Sequence, residues 1–331
     1  MNIAIVGFGY WGPNLVRNFK NIDNCCVTHI AESQKDRQKK INELHPEIEI
    51  QSFDEIIDNS SIDAIVIATS ISSHYNLAKL ALENEKHVLI EKPMADSFEH
   101  AKELIKLSKQ KNKILMVDHT YLYSPYIQKI KKIIDEGDLG EILYVNSIRT
   151  NWGKFQSDYN VIWDLAPHDL SIINYLLNET PISVQAIGKS FTKNKIENLA
   201  YLTLRYNSDK IIHINNSWVS PSKVRNMIIG GTKKMLVFDE LESKKILIYN
   251  KNLEKLSDSF NTIDKEFSDE PRSIEPDSTL KEPLLVMAED FVNSIENKIE
   301  PLSNMVTGMN VVKILSASQK SIKNSGQEIY I

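Results

Sequence analysis

The sequence predicts an α/β protein: an N-terminal doubly wound parallel sheet over residues 1–120, then an α+β domain over 121–331 with a large, mainly antiparallel sheet. Three observations predict it. Short apolar runs alternate with helical stretches through residue 117, which is the rhythm of parallel βαβ units. That rhythm stops near residue 120, and strand-like runs dominate from there to about 250. The 331 residues are enough for two domains.

The elements follow in order. Residues 2–6 (Asn-Ile-Ala-Ile-Val) read as a buried strand, and 13–20 as a helix with Leu15, Val16 and Phe19 at helical spacing. A strand at 26–31 and a polar helix at 34–44 come next. The run 62–68 is almost continuously apolar, as a strand covered on both faces requires. A helix at 74–84, a strand at 87–90, a helix at 97–110 and a strand at 113–117 complete the first half. A helix at 125–135 ends at Gly137. Strand-like runs then fall at 142–149, 182–189, 199–206, 210–218, 224–229, 234–238 and 245–249, interrupted by a helix at 164–177. Residues 251–282 are acidic and rich in Ser and Pro, and read as an extended loop before helices at 283–297 and 305–323.

A composition of 42% hydrophobic and 25% charged residues excludes a disordered, collagen-like or disulfide-scaffold chain. The net charge is −5, and residues 251–282 hold most of it, with five Lys or Arg against nine Asp or Glu. The remainder is near neutral and gives no electrostatic reason to expect nucleic acid or a membrane surface as partner. Cys25 and Cys26 are adjacent, cannot staple a fold and match no common metal spacing. A reducing compartment is the simpler reading. No apolar run approaches the roughly 20 residues of a membrane span, and no basic segment precedes the first apolar run, so cytoplasmic residence is expected.

The strongest local motif is Gly7-Phe8-Gly9-Tyr10-Trp11-Gly12, set between a strand and a helix. Gly7 permits the tight turn, Gly9 lets a pyrophosphate approach the backbone, and Gly12 lets helix and strand pack closely. Pro13 suits the first helical turn. Glu32 follows Gly12 by 20 residues at the end of the second strand, the place for a carboxylate on the adenosine ribose. It favours NAD over NADP because it would repel a 2′-phosphate; Lys35 and Arg37 nearby soften that preference. The alternative is a turn shaped by glycines with Glu32 as a surface charge.

Two further features carry chemistry. Glu91-Lys92-Pro93 follows the strand 87–90, where open α/β sheets place their ligands; by composition alone Lys92 is more often a solvated charge. Asp164 and His168 lie four apart within Trp163-Asp164-Leu165-Ala166-Pro167-His168-Asp169, so a helix would put both on one face. Imidazole suits proton transfer near neutral pH. The alternative is that Asp164 caps the helix and His168 is a packed polar residue.

Gly7 to Gly12, the run Ala68-Thr69-Ser70 to His74, Glu91-Lys92-Pro93, and Asp164 to His168 together resemble the Gfo/Idh/MocA oxidoreductases over nearly the whole chain. Gly137-Asp138-Leu139-Gly140 and Gly230-Gly231-Thr232 add to the likeness. The resemblance implies a Rossmann domain and an α+β domain whose open sheet commonly forms homodimer or homotetramer contacts. It implies that Lys92, His168 and Asp164 are catalytic, and that the Lys92–Pro93 bond is cis. It also implies that Thr69, Ser70, His74 and the Glu91–Pro93 backbone serve a nicotinamide cofactor beside Phe8, Tyr10 and Trp11 of the glycine loop. No metal is implied.

Within the family, the segments 9–14, 118–125 and 160–169 resemble the sugar-nucleotide branch, which includes UDP-N-acetylglucosamine 3-dehydrogenases. The implied activity is NAD-dependent oxidation of a sugar secondary alcohol in surface-glycan biosynthesis. Alternatives are a free-polyol dehydrogenase, a deoxysugar ketoreductase and, in a different class, a non-catalytic dinucleotide sensor. His119 and Tyr123 line a sugar pocket in this reading, with core or hinge packing as the alternative. Arg149 and Asn151 share strand parity, as do Lys223 and Arg225, and all four are candidate substrate contacts. Trp152, Trp163 and Trp218 are expected in the core.

Overall fold

The structure, a computed structural model, describes residues 1–331 except 154, 252, 254–269 and 277–280. It divides into two compact units, residues 1–123 with 281–313 and residues 124–280 with 314–331. Among the described residues no helix is long and apolar enough to cross a membrane.

In the first unit, strands β1 (Asn2–Val6), β2 (Cys26–Ala31), β3 (Glu49–Ile50), β4 (Ala64–Ile67), β5 (His87–Glu91) and β6 (Leu115–Asp118) form one sheet in the order β3-β2-β1-β4-β5-β6. Every neighbouring pair is parallel. The connections carry α1 (Gly12–Phe19), α2 (Lys35–Leu44), α3 (Phe53–Asp58), α4 (Ile71–Glu83) and α5 (Phe98–Lys111). All four residues of β4 are buried, as its unbroken apolar run requires. The sequence reading passed over β3 and α3. The helix α3 is marked by a capping box, in which Ser52 accepts from the Glu55 N–H and Glu55 accepts from the Ser52 N–H.

The second unit contains α6 (Pro125–Asp135), β7 (Ile142–Trp152), α7 (Val161–Leu177), β8 (Ser183–Lys189), β9 (Leu199–Arg205), β10 (Ile211–Ser217), β11 (Val219–Gly231), β12 (Met235–Asp239), β13 (Ile246–Tyr249) and β14 (Arg272–Ile274). The chain continues through α8 (Pro283–Asn297), α9 (Met305–Lys323) and β15 (Ile329–Tyr330). The second sheet runs β14-β13-β12-β11-β7-β10-β9-β8-β15 among the described residues. Its neighbours pair antiparallel, except that β7 and β10 are parallel. Strands β8, β9 and β10 alternate buried and accessible positions, so one face is packed and Ile187, Tyr201 and Ile211 stand exposed on the other.

The extended loop expected at 251–282 lies largely outside the described residues; β14 is a strand within it. A single boundary at residue 120 does not describe the units, because 281–313 folds with the first. The reason is the apolar stripe of α8, where Leu284, Met287, Ala288, Phe291 and Val292 recur at helical spacing and are buried. Phe291 meets Phe19 of α1 edge to face, with centroids 6.3 Å apart. Arg17 of α1 donates two hydrogen bonds of 2.7 Å to Glu282, just before α8. Replacing Phe291 by Ala removes one of the two phenyl rings of this contact and is expected to cost about 3–5 kcal/mol, read as a lower midpoint in chemical denaturation.

Candidate active site

Three glycines shape the turn between β1 and α1 for different reasons. Gly7 has φ of +97°, and a Cβ there would lie 2.6 Å from the Ala68 carbonyl oxygen. A Cβ on Gly12 would lie 2.5 Å from the Gly7 carbonyl oxygen. Internal packing therefore dictates both. A Cβ on Gly9 would meet nothing closer than Arg37 Nη1 at 3.6 Å, so the chain itself does not require glycine at that position. No side chain caps α1, and Pro13 occupies its first turn, which leaves the helix N-terminus to an anion. Phe8 is buried, whereas Tyr10 is 93% exposed and stacks on Trp11 with centroids 6.0 Å apart.

Glu32 stands just beyond β2, and its side chain is only 4% exposed, which excludes the surface-charge alternative. Its carboxylate accepts the Phe8 N–H at 2.8 Å and the Gln34 N–H at 2.9 Å. Arg37 Nη1 lies 3.5 Å away. Glu32 therefore holds the glycine loop to the second strand.

The ends of β4, β5 and β6 carry the remaining first-unit candidates. Thr69 Oγ1 accepts from Ser73 at 2.7 Å, and Ser70 is exposed at the head of α4. His74 is buried, with Nδ1 2.9 Å from the Pro93 carbonyl and Nε2 3.2 Å from the Thr69 carbonyl. Burial holds this imidazole below its usual pKa. A neutral ring donates to one of these two carbonyls only, and His74 packs between the β4 and β5 loops. The Lys92–Pro93 bond is cis.

Glu91 ends β5 opposite Asp118, which ends β6. Glu91 accepts the Lys92 N–H at 3.2 Å, and Asp118 accepts the Thr120 N–H at 3.1 Å and the Thr120 hydroxyl. Burial first, and the Asp118 charge second, push the Glu91 carboxyl well above the usual carboxylate range. The sequence reading did not single out Asp118; its signal is an acid closing an otherwise apolar strand. His119 is buried with neither ring nitrogen hydrogen-bonded among the described residues. Burial, and then the Lys92 charge, push it down to about 3, so its ring is neutral. Tyr123 donates to Asp290 at 2.6 Å and accepts the Ser303 N–H at 3.1 Å. It is a packing brace to the returning segment, the alternative reading for that residue.

In the second unit, Asn160 caps α7, its side chain accepting the Trp163 N–H at 3.4 Å. Asp164 is therefore not the cap. From Val161 to Ile173, every residue of α7 is buried except Asp164 and His168, which share one face. Trp218, buried, donates from Nε1 to Asp164 Oδ2 at 3.0 Å and fixes that carboxylate.

Arg149 is buried and its Nε donates to Asp169 Oδ1 at 3.0 Å. Asp169 also accepts from Ser147 at 3.1 Å and Asn216 at 3.4 Å, so Arg149 ties α7 to the sheet. Asn151 accepts from Arg225 Nη2 at 3.1 Å, while Arg225 Nη1 donates to the Thr150 carbonyl at 3.0 Å. Lys223 is exposed within residues 220–223, where the register of β11 against β7 slips. Lys223 and Arg225 therefore share parity but not surroundings. Trp163 and Trp218 are core residues as expected, whereas Trp152, at the end of β7, is 73% exposed. Among the described residues no group of three or more His, Cys, Asp or Glu could hold a metal ion.

The first unit thus brings the glycine loop, Glu32, Thr69, Glu91, Lys92 and His119 to one edge of a parallel sheet, and the second presents Asp164 with His168. The description "Oxidoreductase family, NAD-binding Rossmann fold" matches residues 1–119, and "GFO/IDH/MocA C-terminal domain" matches residues 127–237. The chain is 27% identical over 259 residues to 2,7-anhydro-N-acetylneuraminate hydratase of Escherichia coli, covering 73% of this chain and 68% of that one. It is 23% identical to myo-inositol 2-dehydrogenase of Thermotoga maritima, over 72% of each chain. It is 25% identical to UDP-N-acetylglucosamine 3-dehydrogenase of Acidithiobacillus ferrooxidans, over 69% of this chain and 71% of that one. A solved structure under that enzyme name from the same organism has the same fold, with a TM-score of 0.83 at 22% identity over 99% of each chain. With one family's two domains matched in succession on the parallel sheet and on the large mixed sheet, the chain belongs to the Gfo/Idh/MocA family of oxidoreductases.

Proposed function

We propose that this protein is a cytoplasmic NAD-dependent dehydrogenase that oxidises a secondary alcohol of a sugar nucleotide, C3 of a UDP-N-acetylglucosamine-type sugar. The observation that carries the reading is Lys92 at the carboxyl end of β5, on the same sheet edge as the open Gly9 position. The likeness to a UDP-N-acetylglucosamine 3-dehydrogenase supports the substrate class, and the likeness to a myo-inositol dehydrogenase supports a free polyol as the second reading.

The residues present fit the cofactor. Gly9 leaves room for a pyrophosphate, the uncapped α1 offers its N-terminus, and the Glu32 carboxylate suits ribose hydroxyls and opposes a 2′-phosphate. When bound there, NAD would supply the hydride acceptor for the carbinol carbon. In this reading His168 takes the hydroxyl proton. Lys92 donates a hydrogen bond to the same oxygen and stabilises its developing alkoxide character. Asp164, fixed by Trp218, orients His168. His119, neutral and without a protein partner among the described residues, is a further donor or acceptor for substrate. Arg225 and Lys223 offer positive charge to a diphosphate. The exposed Ile187, Tyr201 and Ile211 support a homodimer or homotetramer through the second sheet.

The deciding assay offers NAD with UDP-N-acetylglucosamine, its uronic acid or myo-inositol, and follows NADH together with product mass. Loss of two hydrogens from a UDP-sugar is expected; turnover of inositol alone would discard the sugar-nucleotide branch. Lys92→Ala and His168→Ala are each expected to lower kcat about 100-fold or more with little change in NAD affinity, and native turnover in either sinks its assigned role. Gly9→Ala should keep the melting temperature and weaken NAD about tenfold or more in a fluorescence titration, whereas Gly12→Ala should lower the melting temperature itself.

A further inference from the structure

Two acids meet at the carboxyl edge of the parallel sheet. Glu91 and Asp118 are register partners on β5 and β6, and both are buried, 7% and 2% exposed. Neighbouring buried carboxyls do not both ionise, because each charge is poorly solvated and repels the other. The hydrogen bonds say which one keeps the proton. Thr120 gives Asp118 Oδ1 two donors, its N–H and its hydroxyl, and donors favour the ionised form. Glu91 Oε2 accepts the Lys92 N–H. The oxygens left over, Glu91 Oε1 and Asp118 Oδ2, are buried with no hydrogen-bond partner among the described residues. One proton on Glu91 satisfies both oxygens together.

The surrounding charges agree. Lys92 acts on both carboxyls and on His119 and His74, and Asp96 acts on His74 in addition. Burial pushes both imidazoles down, His119 to about 3. With Glu91 neutral and Asp118 ionised, the buried acids carry one negative charge against the one positive charge of Lys92. A second ionised carboxyl would leave an unbalanced charge in the interior.

We propose that Glu91 and Asp118 form an acid pair sharing one proton, whose single negative charge is the counter-charge to Lys92, which makes both of them positioning residues for the reaction. The proposal rests on the reading of Lys92 as the group that binds the alcohol oxygen. Neither acid touches the substrate; they act through Lys92.

The test compares full-length native protein with Glu91→Gln and with the double variant Glu91→Gln/Asp118→Asn. Glu91→Gln keeps an N–H toward Asp118 and leaves the single negative charge; the double variant removes it, whereas Asp118→Asn alone lets Glu91 ionise in its place. Infrared spectra without substrate are expected to show the carbonyl stretch of a protonated carboxyl in the native protein at pH 7, and to lose it in Glu91→Gln. In turnover, the double variant is expected to lower kcat about tenfold more than Glu91→Gln, and to move the alkaline limb of the kcat profile down by about one pH unit or more. Glu91→Gln should keep that limb. Absence of the infrared band at pH 7, or equal loss and equal limb shift in the two variants, overturns the proposal. If the double variant does not fold, the band in native protein and its loss in Glu91→Gln decide alone. The spectrum needs no substrate, so a protein that shows the band but oxidises none of the sugars keeps the acid pair and loses only the proposed substrate.

Discussion

Parallel pairing of β1 with β2 on one side and β4 on the other is the constraint on which the first unit depends. Six strands running one way bring all their carboxyl ends to one edge, and the order reverses between β1 and β4. Connections leave that point in opposite directions and open a crevice there. The glycine loop after β1, Glu32 after β2, Thr69 after β4, Lys92 after β5 and Asp118 at the end of β6 meet for this reason. Their strands are buried on both faces, so chemistry is confined to the strand ends.

Charge at that edge is rationed by burial. His119 is neutral and His74 is held below its usual pKa because an imidazolium is poorly solvated inside the sheet edge. Glu91 is pushed toward its protonated form beside Asp118, leaving few full charges near Lys92. Glu32 takes a different course, since two backbone N–H groups and the nearby Arg37 satisfy its carboxylate. The same residue type thus serves two purposes in one sheet, according to the donors its position supplies.

In the second unit the comparable constraint is Asp169. Burying an ion pair costs desolvation, which Ser147 and Asn216 offset by occupying the remaining carboxylate lone pairs. That arrangement seats α7 on the sheet through β7 and β10 and turns Asp164 and His168 to the helix's accessible side. It also commits Arg149 to the fold, although its strand parity alone suited a ligand contact equally well. Trp218 adds direction by fixing Asp164 from below.

The sequence by itself determined the parallel first sheet, the glycine turn, the helical placement of Asp164 and His168, and the position of Lys92 at a strand end. Each follows from periodicity or from a motif spanning a few residues, where local sterics decide the outcome. Only the tertiary structure decided that Glu91 faces Asp118, that Arg149 belongs to Asp169, that Tyr123 braces Asp290 and Ser303, that Trp152 is exposed, and that 281–313 returns to the first unit. These pairings join residues 20 to 180 positions apart. They depend on sheet register and on which apolar stripe covers which neighbour, and a linear pattern records that each stripe must be buried but not the surface that buries it.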